Sequence, residues 1–159
     1  DESFQLAASA DWSEAQLMAG DVQVVAGGAY RGVFEMALPA PGDTLEIPLG
    51  QDGRVRSSRK RLMELCSSSA LGGTKRTVQA FQLDVVNQHS RSVKVRIIDR
   101  IPVSRSSDIE VFVESLDGGE LDPVTGWITW EMTLSPGAQK TLSFSYKVEY
   151  PKKFSIQGL

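Results

Sequence analysis

Cysteine and histidine are almost absent from this chain of 159 residues, which has one of each. A single cysteine, Cys66, excludes an internal disulfide, and one cysteine with one histidine cannot supply the usual ligands of a zinc site. Positive charge is also short, because 17 Lys and Arg against 20 Asp and Glu leave a net charge of −3. A general nucleic-acid binder needs excess positive charge, so that class is disfavoured.

Long apolar runs are missing as well. No stretch approaches the roughly 18 apolar residues of a membrane-spanning helix, so we expect no span here. The chain begins at Asp1 without an initiator Met or a signal peptide, which we interpret as a fragment of a larger protein. The hydrophobic content of 41% and the charged content of 23% are typical of a soluble globular domain.

What the sequence does have is alternation of apolar and polar residues. The segments "WITWEMTL" (127–134) and "KTLSFSYKVEY" (140–150) alternate over their whole length, which predicts half-buried β-strands. The Pro136-Gly137 turn between them predicts that they pair as an antiparallel hairpin. The residues predicted to face inward are Ile128, Trp130, Met132, Leu134, Leu142, Phe144, Tyr146, Val148 and Tyr150.

Three further segments, 77–87, 92–99 and 108–114, alternate in the same way. Their polar connectors are rich in turn-forming residues, and the loop 115–126 has glycines where the backbone can need positive φ. The residues predicted to face inward are Phe81, Leu83, Val85, Val93, Val95, Ile97, Ile109, Val111 and Val113.

The first half of the chain is less regular but still extended. Gly27-Gly28 is a two-residue hairpin signal, and 44–49 and 53–67 are interpreted as strands separated by an Asp52-Gly53 turn. The best candidate for a short helix lies near residues 12–19.

These patterns predict a single all-β domain over 1–159, an antiparallel β-sandwich of immunoglobulin-like or related type. The Gly/Ser-rich stretch 67–74 is the candidate internal boundary between a weakly patterned N-terminal half and a regular C-terminal sandwich.

The stretch "IIDRIPVSRSSDIEV" (97–111) concentrates serines, arginines and acids between two apolar runs. A catalytic serine needs a base and a group that orients the base, and His89 is the only histidine. We expect His89 to lie at the opposite end of the preceding strand. We therefore interpret the stretch as a polar structural corner and predict no catalytic residue. The corner residues are Asp99, Arg100, Pro102 and Ser104.

Two features are candidates for a binding surface. "RVRSSRKR" (54–61) is either a patch for phosphate, polyanionic glycan or a membrane surface, or a solvated strand edge whose charges discourage aggregation. Trp127 lies on the predicted polar face of its strand. It is either a platform that binds sugars or proteins, or it is covered by another segment of the chain. The candidate surface residues are Trp127, Tyr30, Arg54, Arg56, Arg59, Lys60 and Arg61.

The acids of "DGGELD" (117–122) allow a calcium site, but turn-forming Asp and Gly explain them equally and the segment does not match the helix-flanked calcium loop. We therefore predict no metal and no cofactor.

The segments "IIDRIPVSRSSDIEV", "GWITWEMTLSPGAQKTLSFSYKVEYPK" and "AYRGVFEMALPAPGDTLEIPLGQDGRV" carry a family resemblance. They resemble the C-terminal domain of the mucoidy-inhibitor-like (MuiA-like) proteins, a family of unknown function. The resemblance implies a bacterial multidomain protein that is exported or located in the cell envelope, and it supplies no catalytic residues.

Together these observations predict a non-enzymatic interaction or scaffold domain whose partner is another protein or an upstream domain of the same chain. The alternative is a carbohydrate-binding β-sandwich that uses Trp127 and Tyr30.

Overall fold

The computed structural model describes residues 3–11, 18–37 and 44–156, and the helix predicted near 12–19 lies largely outside them. Two compact units make up the chain, Glu2–Val55 (the N-terminal unit) and Arg56–Leu159 (the C-terminal unit). The stretch 67–74, where the sequence suggests a boundary, lies within the C-terminal unit. No described helix has the length and apolarity needed to span a bilayer.

The structure confirms an all-β fold of antiparallel strands, with no α-helix among the described residues. The only helical turn in that part of the chain is a 3-10 helix, Met63–Leu65. The strands are β1 Ser3–Asp11, β2 Gly20–Ala26, β3 Ala29–Met36, β4 Thr44–Arg61, β5 Ser67–Leu71, β6 Thr74–Asn87, β7 Val93–Arg100, β8 Glu110–Ser115, β9 Glu120–Leu121, β10 Trp127–Leu134 and β11 Gln139–Pro151.

In the N-terminal unit, β2 and β3 form the hairpin that Gly27-Gly28 predicts. Both glycines have positive φ, +60° and +75°, which matches the turn that suits the twist of paired strands. The predicted turn at Asp52-Gly53 is wrong, because β4 continues through these residues without interruption.

The C-terminal unit contains two antiparallel sheets in a sandwich-like arrangement. One has the order β4-β6-β11-β8, with β5 also paired to β6, and the other has the order β7-β10-β9. The rings of Trp130 and Phe144, from the two sheets, lie 5.9 Å apart in the core, and Phe81 stacks on Phe144 at 5.2 Å.

The predicted hairpin of β10 and β11 is wrong. β10 pairs with β7 and β9, whereas β11 pairs with β6 and β8. Both strands have one apolar face, and they bury these faces against each other across the core rather than side by side in one sheet. The Pro136-Gly137 turn therefore joins the two layers.

Alternation predicts the inward residues correctly along β6, β10 and β11, where all of them are buried except the half-buried Met132. On β7, Val95 and Ile97 are buried and Val93 is half-buried. On β8 the pattern weakens, and Val113 is 38% exposed. β8 is an edge strand that pairs only with β11, and its register shifts between Ser145 and Tyr146.

Candidate functional site

The predicted corner joins β7 to its surroundings through Asp99 and Arg100. The Asp99 carboxylate accepts hydrogen bonds from Arg59 Nε at 2.8 Å and from the Arg100 backbone N–H at 2.7 Å. The Arg100 guanidinium donates to the Thr125 carbonyl at 3.2 Å. Pro102 is exposed just beyond the buried Ile101. The corner thus ties β7 to β4 and to the 115–126 loop.

The serines of the corner are used in turns. Ser104 Oγ donates to the Ser106 carbonyl at 2.9 Å and accepts from the Ser106 N–H at 3.1 Å. Ser106 Oγ accepts from the Asp108 N–H at 3.3 Å. His89 precedes β7 while Ser104 follows it, so a strand of 8 residues, roughly 26 Å long, lies between them. The hydrogen bonds of Ser104 thus stay within its own turn.

In the basic stretch 54–61, Arg54 belongs to the N-terminal unit and the residues from Arg56 on belong to the C-terminal unit. Strand alternation then separates neighbours in β4. The Arg59 guanidinium lies 3.9 Å from the Phe81 ring centroid, on the core side of the sheet. Lys60 pairs with Asp84 at 3.6 Å on the other face. Arg61 lines a pocket described below.

Trp127 lies on the outer face of the β7-β10-β9 sheet and is 46% exposed. Its cross-strand partner is Arg100, whose guanidinium lies 5.4 Å from the indole ring. The large apolar side chains of Ile98, Val103 and Val124 are exposed in the same sheet and its adjoining loops. We call these five residues the Trp127 face. Tyr30 is also exposed, but it belongs to the N-terminal unit.

Two acids of the 117–122 segment accept hydrogen bonds from the protein. Asp122 accepts from the Thr125 hydroxyl at 2.6 Å and the Val124 N–H at 2.9 Å, and these bonds lower the pKa of its carboxyl. Asp117 accepts from the Ser143 N–H at 3.2 Å. Within the described ranges, no group of three or more His, Cys, Asp or Glu side chains is placed to hold a metal ion.

A polar pocket of about 380 Å³ lies in the C-terminal unit. It is located where β5 pairs with the first half of β6. Its floor comes from three adjacent strands, because Ser68 of β5 is opposite Thr77 of β6 and Lys75 of β6 is opposite Tyr150 of β11. We call it the β5 pocket. Its lining residues are Arg61, Cys66, Ser67, Ser68, Lys75, Thr77, Val78, Gln79, Tyr150, Phe154, Ser155 and Ile156.

The outer wall of the β5 pocket is held by backbone hydrogen bonds after β11. Lys152 N–H donates to the Gly73 carbonyl at 2.9 Å and Phe154 N–H donates to the Pro151 carbonyl at 3.0 Å. These bonds place Phe154 beside the sheet. In the floor, Gln79 is only 2% exposed, and its Oε1 accepts from Cys66 Sγ at 3.9 Å.

Tyr146 lies opposite Gln79 on the next strand and is buried. Burial raises the pKa of its phenol, while the nearby positive charges of Arg59 and Arg61 act in the opposite direction. The phenol is therefore neutral at physiological pH. It supplies no negative charge to Arg59 or Arg61.

The β5 pocket was not predicted from the sequence. The available signal was the presence of polar residues at positions that alternation predicts to face inward. Thr77 and Gln79 lie on the same face of β6 as Phe81, and both are buried. Such a residue in an otherwise apolar face marks the place where the second layer stops covering the sheet. Cys66 is half-buried at the same place.

The sequence matches the family described as domain of unknown function (DUF4139) over residues 5–152. It is also 24% identical, over 171 aligned positions, to the protein F37C4.5 of Caenorhabditis elegans. That alignment covers 98% of this chain and 30% of the nematode protein, so the chain spans less than a third of the length of this relative. No solved structure matches the chain.

Proposed function

The chain belongs to the DUF4139 family, and from this premise we propose that it is a non-catalytic interaction domain whose binding surface is the Trp127 face. The observation that carries the proposal is a half-exposed tryptophan beside an arginine, with three exposed aliphatic side chains in the same sheet and its adjoining loops. Tryptophan and arginine are the residues most enriched at interface hot spots. Large apolar patches on a domain surface generally mark a place where another molecule binds.

The non-catalytic part of the proposal is supported by how the reactive groups are used. Ser104 is bonded within its own turn, and it is separated from His89 by the length of β7. Cys66 contacts an amide rather than a base. A panel of hydrolase substrates checks this part, and turnover that is lost in Ser104→Ala or Cys66→Ser would overturn it.

The partner that we infer is another protein or another domain of the same longer chain. Its contact surface should be apolar with acidic groups at the edge, because Arg100 contributes a positive charge next to the indole. Similar sequence occurs as a minor part of a longer protein in the nematode relative, which supports a domain that works next to others.

Site-specific photocrosslinking tests this function. A photoreactive amino acid at Val124, a residue of the Trp127 face, should give a defined adduct in cells that express the natural protein, and the added change Trp127→Ala should abolish it. The matched control places the same group at Lys94, at the far end of the same sheet. Equal adducts at both positions, or an adduct that survives Trp127→Ala, would overturn the proposal.

A glycan ligand is the second candidate function, because the aromatic rings of Trp127 and Tyr30 are both exposed. Aromatic side chains stack on the apolar faces of sugars. The two rings lie in different units, so each is tested alone, with Trp127→Ala and Tyr30→Ala variants on a glycan array. A silent array for the unaltered protein would remove this candidate.

An exported or cell-envelope location completes the proposal, and its support is the resemblance to the mucoidy-inhibitor-like proteins. Fractionation of the source cells, with protease added from outside, should find the natural protein beyond the cytoplasmic membrane. Recovery of the protein only in the cytosolic fraction would overturn this location.

A further inference from the structure

The residues that line the β5 pocket carry two positive charges and no carboxylate. Arg61 and Lys75 are the cations, and neither forms an ion pair with another residue in the described part of the chain. The Lys75 ammonium lies 5.7 Å from the centre of the Tyr150 ring. A concave site with charge of one sign attracts ions of the opposite sign.

The pocket also offers many hydrogen-bond donors. The hydroxyl-bearing residues in its lining are Ser67, Ser68, Thr77, Tyr150 and Ser155, and the hydroxyls of Thr77 and Tyr150 lie 3.5 Å from each other. Gln79 adds a side-chain amide, whose Oε1 accepts a hydrogen bond from Cys66 Sγ at 3.9 Å. These groups can donate hydrogen bonds to the oxygens of an anion.

The number of donors distinguishes between classes of anion. A carboxylate has two oxygen atoms, whereas a phosphate group has three terminal oxygens and a larger charge. An arginine, a lysine and several hydroxyl groups match the phosphate better, since guanidinium and ammonium groups both bind phosphate strongly. The pocket is also larger than one phosphate, and Val78, Phe154 and Ile156 form an apolar part of its wall.

We propose that the β5 pocket binds the phosphate group of a small phosphomonoester, with Arg61 and Lys75 on the phosphate oxygens and the apolar wall against the organic part. This site is distinct from the Trp127 face, whose residues do not line it.

The test is calorimetric titration of the 159-residue protein with phenyl phosphate, inorganic phosphate and benzoate. Phenyl phosphate should bind saturably, and more tightly than either of the other two. Arg61→Gln and Lys75→Gln should each weaken its binding by about tenfold or more, because each removes a charge-assisted hydrogen bond. Added salt should weaken binding to the unaltered protein.

Lys60→Gln is the matched control, because it removes one positive charge from the neighbouring position of β4, on the opposite face of the sheet. It should change the affinity by no more than about twofold, as expected for a screened surface charge. Thermal unfolding of each variant checks that the fold is kept. Absence of saturable binding, equal losses in all three variants, or benzoate binding as tight as phenyl phosphate would each overturn the proposal.

Discussion

The guanidinium of Arg59 donates a hydrogen bond to the carboxylate of Asp99 over 2.8 Å, and this bond joins β4 in one sheet to β7 in the other. The same guanidinium lies over the Phe81 ring at 3.9 Å. A residue predicted only as part of a basic surface therefore connects the two layers of the sandwich.

Replacement of Arg59 with alanine should lower the free energy of unfolding by about 1 kcal/mol, because it removes a partly exposed ion pair and a cation–π contact. Arg59→Lys should lose less stability than Arg59→Ala but more than none, since an ammonium lacks the planar group with which a guanidinium stacks on an aromatic ring. Lys60→Ala is the control for loss of charge at a neighbouring position. Urea denaturation measures all three, and equal effects of Arg59→Ala and Lys60→Ala would contradict a role in joining the sheets.

The side chain of Asn87 connects the two loops in which the chain passes from one sheet to the other. It is fully buried, and its Nδ2 donates to the carbonyls of Arg91, Leu134 and Ser135, each at 3.0 Å. Its Oδ1 accepts from the His89 N–H at 2.9 Å. The connections β6–β7 and β10–β11 are thus held by one amide side chain.

Asn87→Ala should cost about 2–4 kcal/mol of unfolding free energy, because it leaves buried carbonyls without a donor. Asn87→Asp has the same size but replaces the donor with an acceptor, so it should be at least as destabilising at neutral pH. Gln88→Ala, at an exposed neighbour, serves as the control. An Asn87→Asp protein as stable as the unaltered one in guanidinium denaturation would show that the hydrogen bonds do not matter.

Gly119 lies against the tryptophan of the core. A methyl group at this position would lie 2.6 Å from the Trp130 indole and 2.7 Å from Ile128. Gly119→Ala should therefore destabilise the protein by about 1–3 kcal/mol through overpacking and change the fluorescence of Trp130. Gly73→Ala is the control, since no atom lies within 4 Å of its added methyl group. Equal unfolding temperatures for Gly119→Ala and Gly73→Ala would contradict close packing at Gly119.

Asp84 gives the stability a pH dependence. The Thr141 hydroxyl at 2.7 Å, then the Gln82 amide and Lys60, lower the pKa of its carboxyl in the folded protein, against the effect of burial. The folded state therefore favours the ionised form. Its stabilisation is complete above the unfolded pKa of about 3.9 and is lost as the pH falls through the lower folded value.

Asp84→Asn should consequently be less stable than the unaltered protein at pH 7, and the difference should close as the pH falls below the unfolded pKa of about 3.9. Thr141→Val removes the largest cause of the lowered pKa and should reduce the pH dependence without abolishing it. Thermal unfolding between pH 7 and pH 2 measures the effect. A gap between Asp84→Asn and the unaltered protein that stays constant over this range would contradict the assignment.

The candidate sites were only partly accessible from the sequence. Trp127 was identifiable because the alternation of β10 places its indole on the polar face of the strand. In the structure it is half-exposed. The β5 pocket did not, because Arg61, Lys75 and Phe154 are distant in sequence and meet only through the pairing of β5, β6 and β11. Pairing of strands depends on contacts between distant residues, which a local pattern does not contain.

The sequence by itself determined which side of β6, β10 and β11 faces the core. Successive side chains of an extended chain point to opposite faces, so the burial of Leu142 and Phe144 follows from local backbone geometry alone. Only the tertiary structure decided which strands are neighbours. The same alternation allows β10 and β11 to pair in one sheet or to face each other across the core, and the burial of both apolar faces, with Asn87 holding the crossings, selects the second.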